Sequence, residues 1–208
     1  FYLRVCGPRP SGWAMTAAMR LDPTILREYD IRGIIGENIG EIEFRAIGQA
    51  FGSQLRAEGG ESVAVCYDGR LSSPTLEAAV TEGLAQAGVR VLRAGRGPSP
   101  MCYFADQHLG TDAAVMVTGS HNPPDYNGIK MTMLGRAFYG ADIQALGARI
   151  SAGDYAEGNG EIVNASVFDA YVDRLMLGFA GEKDLSVAWD PGNGAAGEVV
   201  AALVARLP

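Results

Sequence analysis

With 208 residues, 48% hydrophobic and 20% charged, the chain has the balance of a folded globular protein, long enough for one good-sized core or for one domain and part of another. A net charge of −7 excludes nucleic acid as the default partner, because a phosphate backbone calls for a surplus of Lys and Arg, yet it leaves room for a local basic pocket holding a small phosphorylated ligand. No run approaches the eighteen or so apolar residues of a membrane span. Cys6, Cys66 and Cys102, odd in number and without CxxC spacing, read as free thiols in a reducing, cytoplasmic setting rather than as a disulfide framework or a zinc site.

Residues 1–19 lack the continuous apolar stretch of a signal peptide, and Met15 or Met19 makes a natural start, so this segment is expected to be extraneous to the fold. From residue 41, Phe44, Ile47, Phe51 and Leu55 recur at helical spacing up to a Gly59–Gly60 stop. "SVAVCYD" (62–68) is a short β-branched run that reads as a buried strand. A helix follows, with Ser73 as its expected N-cap, Pro74 at its first position and Gly88 at its end. "VRVLRAG" (89–95) is a second strand, "PMCYFADQHLG" a short helix and "DAAVMVT" (112–118) a third strand. "NGIKMTML" reads as a further strand and "ADIQALGARISAG" as a helix. Strands alternating with helices predict a mixed, mostly parallel sheet flanked by helices, an α/β domain over residues 20–160.

Residues 151–165 are Gly-rich and polar and are expected to be a linker. Beyond it, "VFDAYVDRLMLGFAG" reads as a helix, "LSVAWD" (185–190) as a strand and "PGNGAAG" as a turn into a last helix, so residues 161–208 predict the beginning of a second, similar α/β domain. The apolar positions of that last helix, Val199, Val200, Leu203 and Val204, are expected to be poorly covered.

The segment "VTGSHNPPDYNGIKM" (117–131) begins where the third strand ends, and the carboxyl ends of strands are where open α/β sheets bind ligands. Gly119 permits a tight exit, Pro123 and Pro124 stiffen the segment, and Asp125 with Asn127–Gly128 supplies turn chemistry, so Ser120 is expected on a rigid, exposed platform beside His121. Loops are in any case built from Ser, Asn, Pro and Gly, and composition alone leaves function and plain turn evenly matched. A hydrolase triad fits poorly, since G-x-S-x-G is absent and adjacent residues rarely form the nucleophile–base geometry. His108 reads as a helix-end residue rather than a ligand.

"VTGSHNPPDYNGIKM" resembles the phosphoserine loop of the α-D-phosphohexomutase superfamily, in its phosphomannomutase/phosphoglucomutase branch. "REYDIRGIIGENIG" (27–40) is similar to that family's N-terminal signature, "YDGR" (67–70) with "PTLEAAV" to its first strand–helix junction, and "GRGPSPMCYFA" to its next loop. Several ordered motifs form a stronger signal than a lone glycine pattern. The branch rests on "TGSHNP", where "SASHNP" would point to a phosphoglucosamine mutase and "TASHNP" to other phosphoglucomutases.

The resemblance implies four domains, of which the chain carries the first and the start of the second, and it implies reversible transfer of phosphate between the 1- and 6-positions of a hexose phosphate. Ser120 is then the phosphoserine and, through its phosphoryl oxygen, a ligand of Mg²⁺ together with aspartates that this sequence lacks. A hexose 1,6-bisphosphate is implied as activator, and the fragment alone is expected to be inactive. His121 is expected to exchange the proton of the sugar hydroxyl, while Lys130 and Arg32 neutralise the transferring group. Tyr29, at the site entrance, and Asn122, orienting the loop, are the expected substrate-side residues. Asp68 and Arg70 are expected to brace the loop rather than do chemistry. "DPGNGAAG" (190–197) lacks a Walker lysine and reads as a structural turn. The implied partners are small hexose phosphates, with neither nucleic acid nor membrane, in a cytoplasmic monomer or dimer when full length. Two alternatives stay open: a phosphoglucosamine mutase, and a catalytically silent sugar-phosphate-binding protein on the same domain.

Overall fold

The computed structural model describes residues 19–181 and 185–207; the segment read as extraneous, up to residue 18, and with it Cys6, lies outside the described residues. Seven strands form one sheet: β1 (Ile31–Ile34), β2 (Ser62–Tyr67), β3 (Arg90–Arg96), β4 (Ala113–Val117), β5 (Tyr126–Met133), β6 (Arg136–Phe138) and β7 (Ile162–Asn164). They lie in the order β1-β5-β4-β2-β3-β7, with β6 paired to β5. The sheet is mixed, as expected. β2, β3, β4 and β7 pair in parallel, whereas β5 runs antiparallel to β4, β1 and β6.

Side chains alternate across each strand, and the sequence uses that alternation to make two different faces. Val63 and Val65 of β2, with Val115 and Val117 of β4, join the core beneath α1 (Glu41–Ala57), α2 (Ser73–Gln86) and α4 (Ala141–Ala152). Ala64, Cys66, Ala114 and Met116 point the other way, into a smaller cluster with Met101, Cys102 and Ala105 of α3 (Ser99–Leu109). α1 and α2 cross closely, because a Cβ at Gly83 would lie 2.0 Å from the Arg45 carbonyl oxygen. Cys66 and Cys102 are free and buried; the hydrogen bond with Cys66, then burial, push the Cys102 thiol well up, which makes it a packing residue rather than a nucleophile.

The ion pair of Glu77 with Arg93 ties α2 to β3. The Glu77 carboxylate is 1% exposed and accepts from Arg93 Nε at 2.8 Å and Nη2 at 2.6 Å. Glu77→Ala removes both charge-assisted bonds while Arg93 keeps partial access to water, so the expected loss is about 2 kcal/mol. That corresponds to a Tm lower by roughly 4–8 °C in a thermal melt. An unchanged Tm would show that solvent replaces the carboxylate without cost.

Four sequence readings differ from the structure. The α2 helix starts at Ser73 with Ser72 as its cap residue, and the Ser73 hydroxyl donates to Asp68 Oδ1 at 2.6 Å instead of capping. Residues 151–165 are not wholly a linker, for β7 pairs there with Val91, Leu92 and Arg93 and extends the sheet past residue 160. The strand expected at 185–190 does not form. A strand needs a ladder partner for its backbone groups, and among the described residues none lies beside this segment, whose Leu185, Val187 and Trp189 are exposed. The last helix, α6 (Gly197–Val204), is partly covered: Val199 is buried with Tyr171 and Val172 of α5 (Phe168–Met176) on the α3 face, while Val204 is exposed.

Candidate active site

Residues 118–125 connect antiparallel neighbours, leaving β4 at Val117 and entering β5 at Tyr126, at the carboxyl end of the parallel strands β2 and β4. Such a connection carries backbone groups without ladder partners, and here side chains from two directions take them up. Asp68, just past β2, accepts from the Thr118 hydroxyl at 2.8 Å and from the Gly119 amide at 3.2 Å. The Thr118 hydroxyl in turn accepts from the Ser120 amide at 2.9 Å. From the other side Arg70 holds four carbonyls, Nη1 donating to those of Pro123 and Tyr126 at 2.6 and 3.0 Å and Nη2 to those of Asn122 and Ser120 at 2.6 and 3.2 Å. Its Nε lies 3.4 Å from Asp68. The Asn122 side chain donates to the Gly119 carbonyl at 2.9 Å, folding the loop onto itself.

Ser120 is thereby fixed in the left-handed region, at φ 54°. A non-glycine residue there costs of order 1–3 kcal/mol, which the surrounding bonds must offset, and such strain concentrates at functional sites. Gly119 has to be glycine for a different reason: a Cβ there would sit 2.3 Å from Arg70 Nε. Ser120 and His121 are exposed. Together with Asp68, Arg70 and Asn122 they line a cavity of about 910 Å³, which Pro191, Asn193, Gly194 and Ala195 also line. The Gly-rich turn read as purely structural therefore also bounds the site.

Arg32 and Lys130 form a separate group. Arg32 on β1 is in register with Gly128 on β5, and the Gly128 carbonyl accepts from the Thr118 amide at 2.9 Å, so Arg32 lies two strands across the sheet from the start of the loop. At strand spacing that is roughly 10 Å. Lys130 stands opposite Met116, a residue lining the large cavity, and directly opposed residues share a face of the sheet. Both cations meet at Asp30. Tyr29 is exposed and stacks on Tyr139 with ring centroids 6.4 Å apart, and it shares with Lys130 a second cavity of about 420 Å³. The structure thus brings Ser120, His121 and Asn122 together in one cavity, and Lys130 with Tyr29 in another. His108 stacks on Phe104 near the end of α3, away from either cavity.

The domain that carries this loop is matched by known proteins. The profile of the phosphoglucomutase/phosphomannomutase α/β/α domain I covers residues 23–157. The chain belongs to that family. It is 39% identical over 190 residues to a phosphomannomutase/phosphoglucomutase of Pseudomonas aeruginosa, covering 91% of this chain and 41% of that protein. It is 40% identical over 196 residues to a phosphomannomutase of Salmonella typhimurium, covering 88% of this chain and 41% of that protein. A crystal structure of a phosphoglucomutase/phosphomannomutase family protein from Burkholderia thailandensis superposes with a TM-score of 0.83 at 42% identity, covering 88% of this chain and 42% of that one. The chain spans about two fifths of the length of these relatives.

Within this family member, the residues present do not make a divalent-cation site of their own. Among the described residues no three His, Cys, Asp or Glu side chains converge, and the carboxylate nearest the loop, Asp68, is already committed to Thr118, Gly119, Arg70 and Ser73. The sequence reading overlooked the Thr118 hydroxyl and Asp30, and it gave Asn127–Gly128 to a turn, whereas both lie within β5, where the buried Asn127 amide donates to the Ser72 and Ser73 hydroxyls at 2.9 Å and steadies the strand leaving the loop. Only Asp30 had a usable signal. It stands two residues before Arg32 at the entry to a strand, and alternation puts such residues on one side.

Proposed function

We propose that this chain is the phosphoserine-bearing part of a phosphomannomutase/phosphoglucomutase that interconverts the 1- and 6-phosphates of a hexose. The observation that carries the reading is Ser120 itself, exposed on the cavity wall with both of its peptide units hydrogen-bonded and its backbone in a strained conformation. In the reaction, the bond from phosphorus to Ser120 Oγ breaks as a bond to the sugar hydroxyl oxygen forms. His121, next to the serine, takes the hydroxyl proton, and the bisphosphorylated sugar then returns its other phosphate to Ser120 Oγ. Arg32 and Lys130 supply positive charge for the transferring group, whose charge is spread over its equatorial oxygens. Asn122 keeps the loop in shape, and Tyr29 flanks the sugar.

Magnesium at a phosphorylated Ser120 would need carboxylates that the described residues do not provide, and oxygen ligands are what that ion requires. The proposed setting is the cytoplasm, with hexose phosphates as the small-molecule partners and a hexose 1,6-bisphosphate as activator. Among the described residues no helix is long and apolar enough to cross a membrane.

The test joins residues 19–207 to the remainder of the Pseudomonas aeruginosa relative in place of its matching segment. Incubated with glucose 1,6-bisphosphate labelled in its phosphates, the chimera should carry label on Ser120 alone, in a peptide within residues 115–130. It should also convert glucose 1-phosphate to glucose 6-phosphate, whereas the 208-residue chain by itself should not turn over. A folded chimera without turnover, or label on another residue, sinks the reading.

A further inference from the structure

Asp30 is a buried carboxylate beside the candidate site to which the proposed reaction gives no task. Buried carboxylates are rare unless paired, and Asp30 is paired twice through a single oxygen. Its Oδ2 accepts from Arg32 Nη2 and from Lys130 Nζ, the latter at 3.0 Å. The two cations come from different strands, yet the register of Arg32 with Gly128 makes Arg32 and Lys130 diagonal neighbours on one face. A guanidinium and an ammonium this close repel unless an anion lies between them.

The pairing is also incomplete. A carboxylate that grips arginine fully does so with both oxygens and two N–H groups. Here Arg32 Nε is buried without an acceptor, and among the described residues neither Arg32 Nη1 nor the other donors of Lys130 Nζ find a protein acceptor. Asp30 holds one corner of each cation and leaves the rest of their donors uncommitted. The trio keeps a net charge of +1, with two cations fixed side by side.

We infer that Asp30 is a positioning residue that locks Arg32 and Lys130 into one cradle for a phosphoryl group, an inference that rests on the phosphoryl-transfer reading above. A merely structural Asp30 would fill and neutralise the strand edge without making the two cations act as a unit. The cradle requires one anion to engage both at once while Asp30 stays bonded to them.

The experiment uses the ¹⁵N-labelled 208-residue chain, with inorganic phosphate as the probe and NMR signals of the Lys130 ammonium and the Arg32 guanidinium as readouts. In the unsubstituted chain both signals should shift with one shared half-saturation. The scalar coupling across the hydrogen bond from Lys130 Nζ to the Asp30 carboxylate should persist at saturating phosphate. In Asp30→Asn, with the backbone spectrum otherwise retained, the Lys130 signal should show motional averaging and the two residues should titrate with different half-saturations. Shared half-saturation and a rigid Lys130 in Asp30→Asn would overturn the inference. If that variant does not fold, the coupling in the unsubstituted chain decides alone: its loss on adding phosphate means that Asp30 releases the cations, and the inference fails. Phosphate that moves neither signal in the unsubstituted chain overturns the phosphoryl-transfer reading itself, and the inference with it.

Discussion

Ser120→Ala in the chimera with the Pseudomonas aeruginosa relative should abolish both phosphoryl uptake and mutase turnover while leaving the fold in place. Oγ is the atom that bonds to phosphorus in the proposed reaction, and the nearest hydroxyl in the loop, that of Thr118, is committed to Asp68 and to the Ser120 amide. Removal of a covalent nucleophile elsewhere has cost on the order of 10⁶ in kcat, which sets the expected scale. Stability should hardly change, since the Ser120 side chain makes no hydrogen bond among the described residues and the loop is held through its amide and carbonyl. The checks are label incorporation, glucose 6-phosphate formation and a thermal melt of the same preparation. Label persisting in the variant, or turnover within tenfold of the parent, would remove Ser120 from the centre of the mechanism.

Arg70→Ala should also slow turnover strongly, though far less than Ser120→Ala and though Arg70 transfers nothing. Its guanidinium ties four carbonyls between Ser120 and Tyr126, and each bond to a charged donor contributes about 1.5–3 kcal/mol in isolation. These bonds act as a unit, so their sum overstates the loss, and about 3 kcal/mol is expected, or roughly 6–12 °C in Tm. The larger effect should fall on rate: a displacement of about 1 Å at a reacting group costs on the order of 10²-fold. Binding of the hexose phosphate should weaken less than kcat falls. Arg70→Lys should not rescue, because one ammonium cannot reproduce the planar fork that reaches carbonyls on both sides. A variant with unchanged kcat would show that the loop keeps its shape without the clamp.

The same clamp shows what the sequence made legible and what it did not. The parallel core was readable because β2, β3 and β4 are short runs carrying Val63, Val65, Val91, Val115 and Val117 and separated by helical spacing, with Gly88 and Gly110 at the ends of α2 and α3. The serine loop was readable because its motif and its place after a strand agree. Two elements escaped for opposite reasons. β7 lies in a polar, Gly-rich stretch and exists because β3 offers it an open edge, which no local pattern announces. Residues 185–190 carry a strand's pattern but have no neighbour to pair with among the described residues. In the site, the spacing of Asp68 and Arg70 suggested a brace, but the four carbonyls that Arg70 reaches are some 50 residues away in sequence, and backbone acceptors leave no mark in composition.

The bonds on either side of Ser120 have a consequence for how its oxygen moves. With the amide held by Thr118 and the carbonyl by Arg70, φ and ψ at this residue are not free to adjust, and χ1 is the one torsion left to aim Oγ. A serine χ1 has three staggered wells. Oγ therefore has three discrete stations on a fixed pivot instead of a continuous range. In the proposed reaction, a phosphoryl group carried there would change position by switching between rotamers, with the main chain of the loop the same before and after each transfer.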